Sequence, residues 1–97
     1  MPGSSASISR SGEALVFAGA LLRDQVASLW PQAARGLEGV RRIDLAAVER
    51  IDSAGLALLV ELVARTGTAP AIDGAPDGLS ELRAAYRLTP RLAFASA

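Results

Sequence analysis

A polar turn that runs directly into an apolar helix is the feature that most limits the folds open to this chain. Asp52 and Ser53 precede a strongly apolar segment, and Gly55 lies where the first helical turn would be. Aspartate and serine are favoured N-cap residues because their side-chain oxygens accept hydrogen bonds from first-turn N–H groups. Either residue can therefore cap this helix. The sequence predicts a central helix over residues 54–65, ended by Gly67.

This central helix has more apolar residues than a single buried face would contain. At about 100° per residue, four residues share the face expected to pack on a sheet: Leu56, Leu59, Val60 and Val63. Leu58 falls on the other side and is expected to be partly exposed. Gly55 costs a helix up to about 1 kcal/mol relative to alanine, which indicates that another group comes close. The turn and the extra apolar surface suggest a docking site; capping alone and close packing within the domain are the alternatives.

Short apolar runs alternate with helical segments along the rest of the chain. Strands are predicted at four places: 7–10, 14–19, 40–45 and, weakly, 69–73. Two further helices are predicted, over 23–34 and 77–88. Pro31 should kink or break the first helix near Trp30, which is expected to be a core or helix-packing residue. Pro70 confines the last strand to an edge, or is itself the first residue of that strand.

The segment 46–50 is expected to be a connecting loop, with Val48 and Ile51 turned onto the core. Leu92 and Phe94 are expected to fold back onto the domain. Alternating strands and helices predict an α/β fold, and the opening hairpin makes its central sheet mixed. We therefore expect a disordered lead-in over 1–6 and a single domain over 7–97.

The composition excludes several kinds of chemistry. The chain has no histidine and no cysteine, which argues against zinc sites, disulfides and Ser-His-Asp catalysis. All ten basic residues are arginines, so a phosphate-binding loop with an essential lysine is excluded. The formal net charge is zero, and no apolar run approaches the about 20 residues that span a bilayer. We expect no metal, no cofactor, no nucleic-acid partner and no direct membrane insertion.

An enzyme or small-ligand site would have to use the few carboxylates that can cluster. These are Asp44, Asp52 and Asp73. Nothing in the sequence pairs them with a nucleophile or a set of metal ligands, so capping or solvent exposure explains them better. We expect the protein not to be an enzyme.

One pattern resembles the signature of a known family, the STAS domains. It consists of Ile-Asp-Leu at 43–45, Val48, and Ile-Asp-Ser-Ala-Gly-Leu-Ala-Leu-Leu at 51–59. It is most similar to the small stand-alone STAS subunits of Mla phospholipid-transport systems. The order of elements fits across nearly the whole chain, including Leu29-Trp30 and a last helix with Leu82 and Tyr86. The resemblance implies a STAS-like single α/β domain, with helices packed on a mixed central sheet.

The resemblance also implies a function. Such a protein is a non-enzymatic accessory subunit that binds and supports the ATPase of an ABC-type phospholipid transporter, which maintains outer-membrane lipid asymmetry. It would be cytoplasmic, peripheral to the inner membrane, and linked to the membrane permease only through that ATPase. The implied partner surface runs from the start of the central helix to the last helix: Asp52, Ser53, Ala54, Gly55, Leu58, Arg83, Tyr86 and Arg87. Tyr86 fits a core position equally well.

The chain departs from the family at one position. The alternative function is that of an anti-sigma-factor antagonist, which binds a serine-kinase anti-sigma factor. Such antagonists typically carry a phosphorylated serine or threonine immediately before the motif glycine, where this chain has Ala54. Ser53 is then the remaining candidate for phosphorylation. A phosphate there would be stabilised by the helix dipole but repelled by Asp52. The departure favours a docking surface that needs no modification.

Overall fold

The chain forms a four-stranded sheet and three helices in the computed structural model, which describes residues 6–67, 70–89 and 92. The elements follow one another as β1 Ser7–Ser11, β2 Ala14–Leu21, α1 Arg23–Arg35, β3 Arg42–Ile51, α2 Ser53–Thr66, β4 Ala71–Asp73 and α3 Leu79–Ala85. The predicted lead-in lies outside the described residues except for Ala6, whose N–H donates to Gln25 Oε1 at 3.2 Å. Phe94 and Ala69 also lie outside them.

The sheet is mixed, as the sequence predicts. Its order is β1-β2-β3-β4. The hairpin β1–β2 is antiparallel, whereas β2–β3 and β3–β4 are parallel. Gly12, with φ of +59°, makes the hairpin turn in a conformation that most residues avoid. Pro70 directly precedes the edge strand β4, where its missing N–H breaks no ladder.

Strand β3 is longer than expected, and the predicted loop over 46–50 is wrong. β3 continues to Ile51 because Ala47, Val48 and Arg50 pair with β2, with two register irregularities along the way. These pairings satisfy the backbone groups that a loop would leave to water. Val48 and Ile51 are buried, as predicted.

Helix α1 runs without interruption through Pro31, so of the predicted kink or break near Trp30, the break is wrong. A proline at this position removes the bond to the carbonyl of Ala27, four residues earlier. Both Ala27 and Pro31 are exposed, so water can satisfy that carbonyl. Trp30 is half-buried and packs against the core, which agrees with its predicted role.

The core lies on the face of the sheet that carries α1 and α2. Strands β2 and β3 contribute alternate residues such as Phe17, Ile43 and Leu45, each fully buried. The intervening residues Ala14, Val16 and Asp44 lie on the other face and are only half-buried. Leu92 is 1% exposed and completes the core, as predicted.

Helix α3 is shorter than the predicted span of 77–88. Asp77 pairs with Arg50 as an isolated β-bridge, and Gly78 takes φ of +94°, so the helix begins only at Leu79. At the other end, Arg87 adopts φ of +56°. Its N–H donates to Ala84 O at 3.2 Å, and the N–H of Leu88 donates to Arg83 O at 2.9 Å. These two bonds form a Schellman motif that ends the helix.

Candidate functional site

At the start of α2, one carboxylate accepts hydrogen bonds from the first turns of two helices. Asp52 is the N-cap of α2, and its Oδ1 accepts a 2.9 Å hydrogen bond from the N–H of Gly55. Its Oδ2 accepts another, also 2.9 Å, from the N–H of Arg23, the first residue of α1. The residue before α1, Leu22, offers no side-chain cap. Of the two predicted caps, Asp52 therefore takes the role, and Ser53 becomes the first residue of α2.

These hydrogen bonds determine the ionisation of Asp52. Burial by itself raises the pKa of the carboxyl, because it disfavours the charged form. Hydrogen bonding to the backbone N–H groups of Gly55, Arg23 and Ala54, together with the charge of Arg23, outweighs burial and holds the pKa below its ordinary value. A carboxylate therefore lies at the start of both helices.

Gly55 is required by close packing within the domain. A Cβ at this position would collide with the carbonyl oxygen of Leu21 and lie 2.9 Å from Cγ1 of Ile51. The first turn of α2 thus rests directly on the end of β2. The N–H of Asp52 donates to the same carbonyl at 3.2 Å. Of the two explanations for this glycine, close approach of the domain's own backbone is the one observed.

An apolar groove opens between α2 and the segment after α3. It has a volume of about 350 Å³. Its lining comes from one side of α2 and from the two residues that flank Arg87: Ser53, Leu56, Ala57, Val60, Glu61, Tyr86 and Leu88. Because the Schellman turn reverses the chain at Arg87, Leu88 turns inward and is buried while Tyr86 stays outside.

The structure brings two of the predicted site residues together in this groove, Ser53 and Tyr86. Tyr86 is 49% exposed, the one large hydrophobic side chain among the described residues to be so exposed. Its alternative assignment to the core is therefore wrong. Arg87 is exposed and Arg83 half-buried; neither lines the groove, although both belong to the turn that shapes it. Ala54 is half-buried beside Ser53.

Leu58 is buried, with 3% of its surface exposed, so the expectation that it is partly exposed is wrong. Helix α2 packs on the sheet, on α1 and on α3. A helix with neighbours on several sides buries more than one stripe, and Leu58 and Leu62 are both in the core. Among the larger apolar residues of α2, the one left partly accessible is instead Val60, which was expected on the packed face.

The other carboxylates considered for chemistry are engaged elsewhere. Asp44 and Asp73 are neighbours across β3 and β4. Asp44 Oδ1 accepts from the N–H of Ala46 at 2.9 Å, and Asp73 pairs with Arg42 at 3.0 Å. Within the described residues, no group of three or more aspartates and glutamates is placed to hold a metal ion.

Sequence reasoning missed five of the seven groove residues: Leu56, Ala57, Val60 and Glu61 on α2, and Leu88 after α3. Ala57 and Glu61 are exposed and Val60 is half-buried. The helical spacing of Ser53, Ala57 and Glu61, four residues apart, already places them on one face. The turn after α3, which supplies the second wall, carries no comparable sequence signal. No helix in the described part of the chain is long and apolar enough to cross a membrane.

A mixed four-stranded sheet with three helices, in this order, is the architecture of a STAS-like α/β domain. The chain belongs to the family described as "Mlab, STAS domain", which matches residues 4–92.

Two named relatives are similar over most of their length. The chain is 32% identical over 82 residues to the "Intermembrane phospholipid transport system binding protein MlaB" of Escherichia coli (strain K12). The match covers 81% of this chain and 84% of that protein. The protein of the same name from Shigella flexneri matches with the same identity and coverage.

A solved structure is also similar in part. It is described as a crystal structure analysis of Mglu and is 20% identical over 74% of this chain, with a TM-score of 0.49. This chain spans only 20% of that chain's length. Similarity at this level supports no functional conclusion.

Proposed function

We propose that this protein is a non-enzymatic accessory subunit of an ABC-type phospholipid transporter, in which it binds and supports the ATPase subunit. In this proposal it acts on the cytoplasmic side of the inner membrane, is held there through the ATPase, and contributes to outer-membrane lipid asymmetry. The proposal draws on the two relatives named as binding proteins of an intermembrane phospholipid transport system.

The observation that carries the proposal is the groove beside the start of α2. Tyr86 stands exposed at its edge, and tyrosine is among the residues that most often dominate the energy of protein interfaces. Leu56 and Leu88 form an apolar floor, and Ala57 keeps the opening clear of bulky side chains. An apolar groove with an exposed tyrosine at its edge suits a protein partner, because burial of apolar surface is the main favourable term in most protein association.

The groove is built on a rigid frame. Asp52 ties the first turns of α1 and α2 together, and Gly55 seats α2 on the end of β2. A surface that is ordered before binding loses little conformational entropy when a partner docks. We therefore propose that docking is constitutive and needs no phosphorylation of Ser53.

The anti-sigma-factor antagonist function is not favoured by any contact at the site. The position immediately before Gly55 is Ala54, which has no hydroxyl to modify. Ser53 is exposed, so its modification can be measured directly. Stoichiometric phosphate on Ser53 in the native protein, found by mass spectrometry, would favour that alternative.

Co-purification with the ATPase of the same organism's transporter tests the proposal. Ala57→Arg places a long charged side chain in the groove and is expected to abolish the complex. Tyr86→Ala should weaken it by about 2 kcal/mol, the cost typical of an interface hot spot. Ala64→Arg is the matched control, since Ala64 is exposed on the same face of α2 about two turns beyond Ala57 and outside the groove.

All three variants are expected to stay folded, because the replaced side chains are exposed. The thermal melt of each variant checks this. An ATPase complex that survives both Ala57→Arg and Tyr86→Ala would exclude the groove as the docking surface.

A further inference from the structure

Among the described residues that line the groove, Glu61 is the only one with a charged side chain. It lies two helical turns after Ser53. These two residues are the first and last of the α2 residues that line the groove, here called the α2 wall, and they are about 12 Å apart along the helix axis. The rest of the lining is apolar, small or aromatic. The charged side chain that lines the groove is therefore a carboxylate, located at the end away from Ser53.

The ion pair between Glu61 and Arg65 is weak. Arg65 Nε lies 3.4 Å from Glu61 Oε2, and the two side chains are 54% and 57% exposed, respectively. An ion pair as exposed as this one is screened by water and contributes little. A cation brought by a partner can replace Arg65 at small cost.

Arg65 has a second contact that remains when Glu61 takes another cation. Its guanidinium carbon lies 4.9 Å from the centroid of the Trp30 ring, within the range of a cation–π interaction. Trp30 belongs to α1, so this contact lies on the α1 side of α2, whereas the groove opens toward α3. Arg65 is thereby kept in place without blocking the groove.

We infer that the groove receives a short segment of the ATPase subunit that carries apolar side chains for the floor and one arginine or lysine that pairs with Glu61. This inference rests on the proposed function and adds the chemistry of the partner. A length of about 12 Å corresponds to two helical turns or about four extended residues. An anionic phospholipid fits less well, because the one charged side chain among the described residues that line the groove, Glu61, is a carboxylate.

The inference is tested by the affinity of the native ATPase for charge variants, measured at low and high salt. Glu61→Lys is expected to weaken binding at least about ten-fold, because it places like charges together. Glu61→Gln should weaken binding less and flatten its salt dependence, since the ion pair is lost without repulsion. The control Glu38→Lys makes the same charge change at an exposed position between α1 and β3, and should stay within about two-fold of the unmodified protein.

The outcomes separate this inference from the proposed function. If Ala57→Arg abolishes binding while Glu61→Lys binds normally, the basic segment is wrong and the docking surface stands. If both variants bind normally, the groove is not the docking surface and the inference of a basic segment is also wrong. Vesicles containing phosphatidylglycerol that compete with the ATPase for the groove would overturn the assignment to a protein segment. Restoration of Glu61→Lys binding by a basic-to-acidic change in the ATPase would support the pairing directly.

Discussion

The carboxylate of Asp52, the N-cap of α2, also accepts a 2.9 Å hydrogen bond from the N–H of Arg23, the first residue of α1 and 29 positions away in sequence. One side chain thus fixes where both helices begin. The groove uses one side of α2, so the position of its residues depends on this link. Asp52 therefore acts on the docking surface by positioning it, whether or not a partner touches its carboxylate.

Asp52→Ala is expected to lower the free energy of unfolding by about 1 kcal/mol for each of the two caps it removes. Chemical denaturation at pH 7 measures this loss. The control Asp24→Ala removes an exposed aspartate from the first turn of α1 and should cost less than Asp52→Ala. Equal losses from the two variants would mean that the double cap contributes nothing beyond ordinary first-turn charge.

The stability contributed by Asp52 should depend on pH in one direction. Its pKa is lowered in the folded protein, so the contribution is fully present above the ordinary aspartate pKa of about 4. It is lost as the pH falls through the lowered folded value. The stability difference between the unmodified protein and Asp52→Asn should therefore shrink in acid. A difference that grows below about pH 4 would contradict a lowered pKa.

Gly55→Ala should destabilise the domain by about 1–3 kcal/mol, the usual cost of overpacking, although alanine is the better helix former. The added Cβ collides with backbone at Leu21, which cannot rotate away as a side chain can. Gly36→Ala is the matched control, since a Cβ there meets nothing closer than 3.6 Å. A thermal melt of Gly55→Ala that equals or exceeds that of the unmodified protein would refute the close approach.

Leu58→Asp should unfold the domain rather than only weaken docking. It buries an unpaired charge, and deleting a buried leucine alone costs about 2–5 kcal/mol. Its neighbour Ala57 is exposed, so Ala57→Asp should leave the far-UV circular dichroism and the cooperative melt intact. If Leu58→Asp also stays folded, α2 does not pack as the structure has it.

Arg87→Gly should raise the melting temperature. Arg87 holds φ of +56° at the end of α3, where a non-glycine residue pays roughly 1–2 kcal/mol of steric strain. Arg87→Ala is the control, because it removes the same side chain without supplying the conformational freedom of glycine. A higher melting temperature in both variants would mean that the arginine side chain, and not the strained backbone, lowers the stability.

Local patterns predicted the elements of this fold well. The four strands lie near their predicted positions, Gly67 ends α2 with φ of +66°, and the hairpin makes the sheet mixed. These features depend on residues close together in sequence. The length of β3 does not, because pairing with β2 draws the polar residues Glu49 and Arg50 into a strand. A single sequence contains no record of that pairing.

The sequence predicted the location of the site but not all of its contacts, because some of those contacts join residues that are far apart in sequence. The start of α2 was identified from Asp52, Ser53 and Gly55, all local in sequence. The burial of Leu58 depends on the neighbouring helices, and the second cap on Arg23 depends on where α1 begins. Helical periodicity describes one helix at a time, so it assigns one buried face to a helix that has several neighbours.

Site-directed crosslinking tests most directly whether the ATPase occupies the groove of α2. The chain has no cysteine, so Ala57→Cys and Ala47→Cys each offer one thiol for a photoreactive maleimide. Both positions are exposed, but Ala47 pairs with Ala18 on the face of the sheet away from the helices. In native membranes, we expect illumination to join the ATPase to the protein labelled at position 57 and not at position 47. Crosslinks from position 47 alone, or from neither position while the complex still co-purifies, would contradict docking through this groove.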